Sequence, residues 1–459
     1  MSKIISINPS TEEIYGEIDE TPEEEIDKII KEAKKEKNLS TLTAEKRAEI
    51  ISHLIDLLDK NKDKIALVMA NEIGKPLKAG RHEIEIAKKR IEAYCKKIPE
   101  FIADELLFED NSEKNIVRYE PMGVAVVISP WNAPVFVSLA SIIPQILVGN
   151  NVLWKPSEYS SFTGLEISKL FDELKKQGLP EKSFQTIIGG KEIGKKLVES
   201  DIDFVALTGS TKAGKEIIKS SADKLHRFVL ELGGKDPAIV LEDVDIEKAA
   251  KEIAKTGTMY SGQVCFGVER VYCHKDIYNN FVEKCVEEMK KLKVGDPLDE
   301  NTDLGPLSVK FQFEKVKLHI KDALEKGART IYGCETPFKK GYFITPGILT
   351  NVNHSMLIMK EETFGPILPI MKFETIEEAI KLANDSDYGL TASVWTKNLE
   401  KGQKIAEKVE AGTVEINRHG MSKAGYPWGG FKQSGIGRIY SKEAIRSLTN
   451  IKHIWTIKT

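Results

Sequence analysis

The 459-residue chain predicts an α/β fold with parallel sheets, because short β-branched strands alternate with amphipathic helices over most of its length. The alternation forms two series that meet near residues 232–237, where the segment ELGGKDP contains two glycines and a proline. The terminal segment 450–458, NIKHIWTIK, alternates apolar and polar residues and indicates one more strand. We therefore expect two α/β lobes and a small β element, whose last strand pairs either within the chain or in a partner subunit.

The first hundred residues predict mostly helices. Segment 21–36 places its isoleucines on one helical face, and segments 43–61 and 77–98 have the same amphipathic character. From residue 115 onward β-branched runs predict strands at 115–119 and 123–129. The rest of the first series, strands and helices in turn, is expected at 151–155, 162–177, 184–188, from about 191, 204–209, from 212, and 227–232.

The second series begins with a strand at 238–241, a helix at 245–259 and a strand at 271–274. Further strands are expected at 344–349, 367–373, 391–396 and 412–416. The apolar stretch 121–150 raises the question of a membrane span, but Pro130, Pro134 and Pro144 interrupt it. A buried strand, a loop and a core helix are the better prediction there.

Composition limits the classes of function. The chain has 67 Lys and Arg against 70 Asp and Glu, a net charge of −3, so it lacks the basic footprint of a protein that binds nucleic acid or an anionic membrane. The opening MSKIISINPSTEE has no apolar core of signal-peptide length, so a cytoplasmic location is expected. Five scattered cysteines without a C-x-x-C pair argue against disulfides and against a metal site.

Two glycine-rich loops follow predicted strands, at 189–194 and 209–214. Neither has the G-x-G-x-x-G spacing of a dinucleotide fingerprint. The second nearly matches a phosphate-binding loop, but Glu216 stands where a magnesium-binding hydroxyl belongs, which argues against an NTPase. Either loop is a helix start able to accept a phosphate or a plain turn.

Three polar residues are candidates for chemistry. Cys265 lies between Gly262 and Gly267, whose bare backbone would let a substrate approach, although a lone cysteine is more often core filler. Glu231 ends a strand at the joint between the lobes, where it is either a general base or, as the local sequence favours, an ion-pair partner of Lys235. Asn132 follows a strand and is either an oxyanion donor or a helix cap.

In this order, the motifs resemble those of the NAD(P)-dependent aldehyde dehydrogenase superfamily over nearly the whole chain. The matching motifs are PWNAP (130–134), KPSE (155–158), TGSTKAG (208–214), ELGGK (231–235), GQVC (262–265), EETFGP (361–366) and PWGGFKQSG (427–435). The resemblance implies a Rossmann-like cofactor-binding domain at 1–103 and 122–232 and an α/β catalytic domain at 233–432. It also implies an oligomerisation element at 104–121 and 440–459, and hence a homodimer or homotetramer.

The family's site residues carry over to matching positions. Cys265 would be the nucleophile, Asn132 would supply the oxyanion hole together with the Cys265 N–H, and Glu231 would be the general base. Lys155 and Glu158 would meet the adenosine ribose, and Ser210 the pyrophosphate. The coenzyme-binding residues implied are Ser129, Trp131, Lys155, Ser157, Glu158, Gly189, Gly209, Ser210, Glu231, Leu232, Gly233, Cys265, Glu362 and Phe364, with Glu362 at the nicotinamide ribose and Phe364 at its ring.

The stretch GQVCFGVER resembles lactaldehyde- or succinate-semialdehyde-type members, which implies oxidation of a small aliphatic aldehyde or semialdehyde to the free acid. NAD or NADP is the expected coenzyme, and Glu158 favours NAD. Ser141 stands where many members have a proton-relay lysine. Arg270, Arg418 and Lys423 are candidate contacts for an acidic substrate tail, although surface ion pairs explain them equally well. Two alternatives stay open: a coenzyme-A-acylating enzyme, and a non-catalytic binding protein with this fold.

Overall fold

The computed structural model describes residues 2–420 and 423–458. Its strands, in chain order, are β1 (Lys3–Ile7), β2 (Ile14–Asp19), β3 (Glu105–Glu109), β4 (Glu113–Pro121), β5 (Val124–Ile128), β6 (Asn151–Lys155), β7 (Phe184–Thr186), β8 (Phe204–Thr208), β9 (Arg227–Glu231), β10 (Asp236–Val240), β11 (Val268–His274), β12 (Arg329–Tyr332), β13 (Gly347–Thr350), β14 (Ile367–Phe373), β15 (Tyr388–Gly389), β16 (Thr391–Trp395), β17 (Thr413–Ile416), β18 (Phe431–Lys432), β19 (Gly435–Ile436) and β20 (Thr449–Ile457).

The helices, in chain order, are α1 (Glu23–Lys35), α2 (Asn38–Thr41), α3 (Ala44–Ile73), α4 (Leu77–Phe101), α5 (Phe136–Val148), α6 (Ser161–Lys176), α7 (Lys191–Glu199), α8 (Thr211–Ser220), α9 (Ile246–Thr258), α10 (Tyr278–Met289), α11 (Lys310–Glu325), α12 (Leu357–Lys360), α13 (Ile376–Asn384), α14 (Leu399–Ala406) and α15 (Lys442–Arg446). Short 3₁₀ turns lie at Glu158–Ser160 and Met259–Gly262. Among the described residues, no helix is both long and apolar enough to cross a membrane.

The first large sheet is six-stranded, in the order β19-β9-β8-β5-β6-β7. All of its strand pairs are parallel except β9 with β19. The chain winds outward from β5 in one direction through β6 and β7, and in the other through β8 and β9. The strand order therefore reverses between β5 and β8, which is the position where open α/β sheets bind ligands at the carboxyl ends of their strands.

The second large sheet is seven-stranded, in the order β12-β13-β14-β11-β10-β16-β17, and only the β12–β13 pair is antiparallel. Strand β10 has the sequence DPAIV and is buried throughout, as expected for a central parallel strand covered on both faces. Helix α9 packs an alanine- and isoleucine-rich face on this sheet. The two sheets confirm the predicted α/β class and its two parallel series.

The third sheet has three strands in the order β20-β4-β3. The terminal strand β20 pairs antiparallel with β4 of its own chain, in register from Thr449 opposite Pro121 to Ile457 opposite Glu113. Of the two pairings left open by the sequence, the tail thus adopts the one within the chain. Strand β20 is also an edge of this sheet, so its outer backbone groups face away from β4.

The main departure from the predicted elements lies at the amino terminus. Instead of helix alone, the chain begins with a two-stranded antiparallel hairpin, β1–β2, before α1. Helix α3 also extends to Ile73, well past residue 61, since the first helix-ending residue after its start is Gly74, which has φ 70°.

Candidate active site

The predicted catalytic residues lie around one cavity of about 370 Å³. Asn132 follows β5, Glu231 ends β9, and Cys265 lies in the loop between α9 and β11. All three side chains line the cavity, whose wall is otherwise mostly apolar and aromatic. The six-stranded sheet therefore contributes two of the residues and the second lobe contributes the cysteine, which places the cavity between the two sheets.

The loop that carries Cys265 has an unusual backbone. Tyr260 and Ser261 both adopt left-handed conformations, with φ 51° and 57°, a strain that persists only where surrounding contacts fix it. Gly262 has φ 76°, and a Cβ atom there would lie 2.1 Å from the carbonyl carbon of Gly365. The bare backbone of Gly262 is therefore covered by another segment of the chain, and the expectation that it leaves room for substrate is wrong.

The thiol of Cys265 is partly buried among acids. Burial raises the pKa of the Cys265 thiol well above its ordinary value. The neighbouring carboxylates of Asp236, Glu231 and Glu362 raise this pKa further, while the residue's own backbone N–H lowers it.

The side chain of Asn132 is buried and fixed. Its Nδ2 donates to the backbone carbonyl of Gln263 at 2.7 Å, which ties it to the loop that carries Cys265. An amide nitrogen has two N–H donors, and this bond uses one of them. The contact joins the turn after β5 to the cysteine loop.

Glu231 is buried, and among the described residues its Oε1 has no hydrogen-bond partner. Burial raises the pKa of this carboxyl well above its ordinary value, although Arg438 and the indole of Trp428 oppose the shift. The predicted ion pair with Lys235 is wrong, because the Lys235 ammonium binds Glu269 at 2.6 Å instead. The two residues are only four positions apart in sequence, but Glu231 ends β9 and Lys235 directly precedes β10, which belongs to the other large sheet.

The predicted adenosine-ribose residues lie at the carboxyl end of β6. The buried ammonium of Lys155 donates to the carbonyl of Gly189 at 2.6 Å and lies 3.6 Å from the Glu158 carboxylate. Burial lowers the pKa of Lys155, and Glu158 and then Glu20 act against that shift. Glu20 also accepts the Gly190 N–H at 2.8 Å. The Lys155 ammonium therefore has two carboxylates near it, those of Glu158 and Glu20.

Several predicted coenzyme residues have side chains already engaged in the local structure. The Ser129 hydroxyl accepts the Trp154 indole N–H at 2.8 Å, and the Ser157 hydroxyl caps the following 3₁₀ turn. The Ser210 hydroxyl caps α8 by accepting the Ala213 N–H. Gly209 donates its N–H to the carbonyl of Glu231. Of these residues, Gly209 and Ser210 lie directly after β8, beside the point where the strand order reverses.

Of the predicted nicotinamide residues, Glu362 lies against the Gly233–Gly234 segment that joins β9 to β10. The Glu362 carboxylate accepts the Gly234 N–H at 3.0 Å, and a Cβ atom on Gly233 would lie 2.8 Å from that carboxylate. Burial raises the pKa of Glu362 to about 7, and the charge of Glu269 adds to the shift.

Phe364 packs edge to face against Trp131, with 5.7 Å between the ring centroids. Leu232 packs against α8, where a Cβ on Gly214 would lie 2.8 Å from it.

Sequence patterns did not single out Glu269, which holds the segment carrying Glu362 and Phe364. Its carboxylate accepts the N–H groups of Thr363 at 2.6 Å and Phe364 at 2.8 Å. Lys235 donates to both Glu269 and the Thr363 hydroxyl. No local signal marks this role, because the contacts join positions about a hundred residues apart.

The three candidate contacts for an acidic tail differ in environment. Arg270 is buried, and its guanidinium donates to backbone carbonyls that include those of Lys235 and Ala383, so it is not available as a surface group. Arg418 lines the cavity and lies 3.2 Å from Glu415, and Lys423 also has an interaction partner. Ser141 lines the cavity as well.

In the described part of the chain, no cluster of three or more His, Cys, Asp or Glu side chains has the geometry to hold a metal ion.

Comparison with known proteins gives one consistent result. The model of the aldehyde dehydrogenase family matches residues 1–454. An aldehyde dehydrogenase of Paenarthrobacter nicotinovorans is 34% identical over 458 residues, which cover 99% of each chain. Lactaldehyde dehydrogenase from Escherichia coli superposes with a TM-score of 0.95 at 32% identity, covering 100% of this chain and 96% of that one.

Betaine aldehyde dehydrogenase from Staphylococcus aureus, in complex with NAD+, superposes with a TM-score of 0.94 at 30% identity, covering 100% of this chain and 92% of that one. The family match spans nearly the whole chain and includes both large sheets and the cavity between them. It confirms the resemblance carried by the seven motifs. The chain therefore belongs to the aldehyde dehydrogenase family of oxidoreductases.

Proposed function

We propose that the protein oxidises a small aliphatic aldehyde or semialdehyde to the free carboxylic acid, with NAD(P)+ as oxidant and Cys265 as nucleophile. The observation that supports this most is the single cavity that Cys265, Asn132 and Glu231 line together. A thiol, a neutral amide donor and a buried carboxylate are the three groups that oxidation through a thioester needs.

In the first step the Cys265 sulfur, as thiolate, attacks the aldehyde carbon, and the carbonyl oxygen becomes an oxyanion. The second N–H of Asn132 and the backbone N–H of Cys265 stabilise that oxyanion. Neutral donors suit this task because the site already contains several acids, which a fixed cation would pair with instead. The product on the chain is a thiohemiacetal at Cys265.

After oxidation to the thioester, Glu231 acts as general base. Its Oε1 lacks a partner among the described residues, and burial keeps the pKa of its carboxyl high enough to take a proton from water. The activated water attacks the thioester carbon, the bond to sulfur breaks, and the carboxylic acid leaves. Retention of this carboxylate favours hydrolysis over transfer to coenzyme A.

The residues of the chain fit a nicotinamide dinucleotide, which supplies the hydride acceptor when it is bound. Lys155 and Glu158 offer a donor and an acceptor to a ribose diol, and the amino terminus of α8 at Ser210 suits the pyrophosphate. Glu362, whose carboxylate accepts the Gly234 N–H, offers an acceptor to the second ribose. Glu158 and Glu20 would both repel a 2′-phosphate, so we propose a preference for NAD.

We further propose the domain division implied by the family. Residues 1–103 and 122–232 would bind coenzyme, 233–432 would form the catalytic domain, and 104–121 with 440–459 would form the oligomerisation element. The three-stranded sheet supports the last assignment, since Ile451, Trp455 and Ile457 of β20 are each more than 60% exposed. We also propose that the protein is cytoplasmic and assembles as a homodimer or homotetramer.

A panel of small aldehydes tests the proposal, with propanal, lactaldehyde and succinate semialdehyde each assayed with NAD and with NADP. We expect reduced coenzyme to form without coenzyme A, and the Cys265→Ala variant to form none. A strict requirement for coenzyme A would assign an acylating enzyme instead. Steady turnover by Cys265→Ala would overturn the proposed role of the thiol.

A further inference from the structure

A buried ion pair outside the predicted catalytic set borders the same cavity, because Glu83 lines it together with Asn132 and Cys265. Lys75, between α3 and α4, donates to Glu83 of α4, and their side chains are 3% and 1% exposed. Two opposite charges removed from water are expensive to bury, and such a pair persists only when further contacts satisfy it. The contacts of each partner lead to a different part of the active site.

Glu83 holds the turn that carries Asn132. Its Oε1 accepts the N–H groups of Val135 at 2.8 Å and Phe136 at 2.9 Å, which are among the unpaired donors at the start of α5. Helix α5 has no acidic residue in its first turn and no side-chain cap of its own. Glu83 therefore supplies both the cap and the negative charge that this helix start favours, three residues beyond Asn132.

Lys75 holds the loop that carries Cys265. Its ammonium lies 3.9 Å from the centroid of the Tyr260 ring, a cation–π contact with the first of the two left-handed residues. The Ser261 hydroxyl donates to the Gly305 carbonyl at 2.8 Å, and Gln263 Nε2 donates to the Tyr260 carbonyl at 3.0 Å. These contacts fix the strained segment Tyr260–Gly262, which lies shortly before the proposed nucleophile.

We propose that Lys75 and Glu83 act as a positioning pair that aligns the two oxyanion donors, the Asn132 amide and the Cys265 N–H, with each other. The pair links the turn after β5 to the loop after α9. The hydrogen bond from Asn132 to the Gln263 carbonyl joins the same two segments directly. This inference rests on the proposed roles of Asn132 and Cys265. Neither Lys75 nor Glu83 takes part in bond making.

A double-mutant cycle tests this role, using the aldehyde from the panel that the unmodified enzyme oxidises fastest. Glu83→Gln keeps the side-chain volume but removes the charge that pairs with Lys75. We expect it to lower kcat by about 10- to 100-fold, since a shift of about 1 Å in catalytic geometry has that effect. The KM for NAD should change by less than about twofold, because no contact to the coenzyme is altered.

In the Asn132→Ala background, Glu83→Gln should lower kcat by less than about threefold, because the donor that it positions is already absent. If Glu83→Gln lowers kcat by the same factor in both backgrounds, its effect is merely structural and the inference is overturned. Lys75→Met, which keeps the helix cap and removes the contact with Tyr260, is taken through the same cycle. It keeps the test decisive if Glu83→Gln fails to fold.

Glu72→Gln is the matched control. Glu72 is also 1% exposed and also caps a helix, accepting the N–H groups of Phe162 at 2.7 Å and Thr163 at 2.8 Å at the start of α6. We expect its kcat to fall by less than about threefold, because its contacts lie at the start of α6 and do not reach the segments that carry the oxyanion donors. A comparable loss of kcat would contradict the inference. Turnover by Cys265→Ala would instead overturn the proposed function itself.

Discussion

The charge state of Cys265 is the feature of the site that depends most on its surroundings. The thiol lies near three carboxylates, and both burial and those charges hold its pKa above the ordinary value. Burial also raises the pKa of Glu231. The proposed chemistry requires both groups deprotonated, so the environment opposes the reactive form at neutral pH and favours it in alkali.

We therefore expect kcat/KM for the aldehyde to rise with pH from about 6 to about 10, by about tenfold per unit where a single deprotonation limits the rate. The rate rises rather than falls with pH because the pKa values of both groups are raised. Each group binds its proton more tightly in the folded chain than in model peptides. Steady-state rates across this range, with saturating NAD, provide the measurement. A flat profile, or an optimum on the acid side of neutrality, would contradict this assignment.

Individual residues also show where prediction from sequence stops. Cys265, Asn132 and Glu231 were identified because distinctive motifs surround them, and the structure brings the three to one cavity. The pairing of Lys235 was predicted wrongly, because sequence proximity suggested Glu231 while the fold brings Glu269 within 2.6 Å. Contacts between distant segments leave no local pattern, which is also why Lys75, Glu83 and Glu269 were not singled out.

Among the elements, the cysteine loop depends on a close approach of two backbones. Gly262 has φ 76° and passes directly against Gly365, which precedes β14. An alanine at this position would place its Cβ 2.2 Å from the Gly365 carbonyl oxygen. The loop and the segment that carries Glu362 and Phe364 must therefore shift together if a side chain is added.

We expect Gly262→Ala to destabilise the folded chain by about 3 kcal/mol or more, because it combines a left-handed backbone with a clash against main-chain atoms. Thermal unfolding measures the effect. Gly420→Ala is the control, since a Cβ atom there meets no atom of the described residues within 4 Å, and its melting temperature should stay near that of the unmodified chain. Equal melting temperatures for all three proteins would refute this explanation of Gly262.

Most of the regular elements followed from hydrophobic periodicity. The strand predicted at 204–209 is β8 (Phe204–Thr208), and the helix predicted at 245–259 is α9 (Ile246–Thr258). The hairpin β1–β2 was not predicted, because its strands have five and six residues and border a strongly helical region. Short strands are set by their partner rather than by their own pattern.

In the whole molecule, the two parallel sheets meet at the cavity, while the three-stranded sheet leaves an apolar surface uncovered. On β20, Ile451 and Trp455 are each 63% exposed and lie four residues apart on the same face. Leu106 on β3 is also exposed, by 56%. A surface of this kind on an edge-bearing sheet is typical of contact with a second copy.

We expect the Ile451→Glu/Trp455→Glu double variant to elute as a monomer in size-exclusion chromatography with light scattering, while the unmodified chain elutes as a dimer or tetramer. Two buried charges at an apolar contact would cost more than the contact contributes. Ile14→Glu, on the amino-terminal hairpin and similarly exposed at 61%, serves as control and should leave the mass unchanged. An unchanged oligomer in the double variant would place the subunit contact elsewhere.

In the proposed reaction, Cys265 carries a thioester which Glu231 releases by activating water. Glu231→Gln should allow one rapid burst of reduced coenzyme and then stall, because the base is absent while the thiol remains. Acid quenching after the burst, followed by intact-mass and peptide mass spectrometry, measures the result directly. We expect an added acyl group on Cys265 that matches the aldehyde supplied. Continued steady turnover of Glu231→Gln, with no adduct on Cys265, would contradict it.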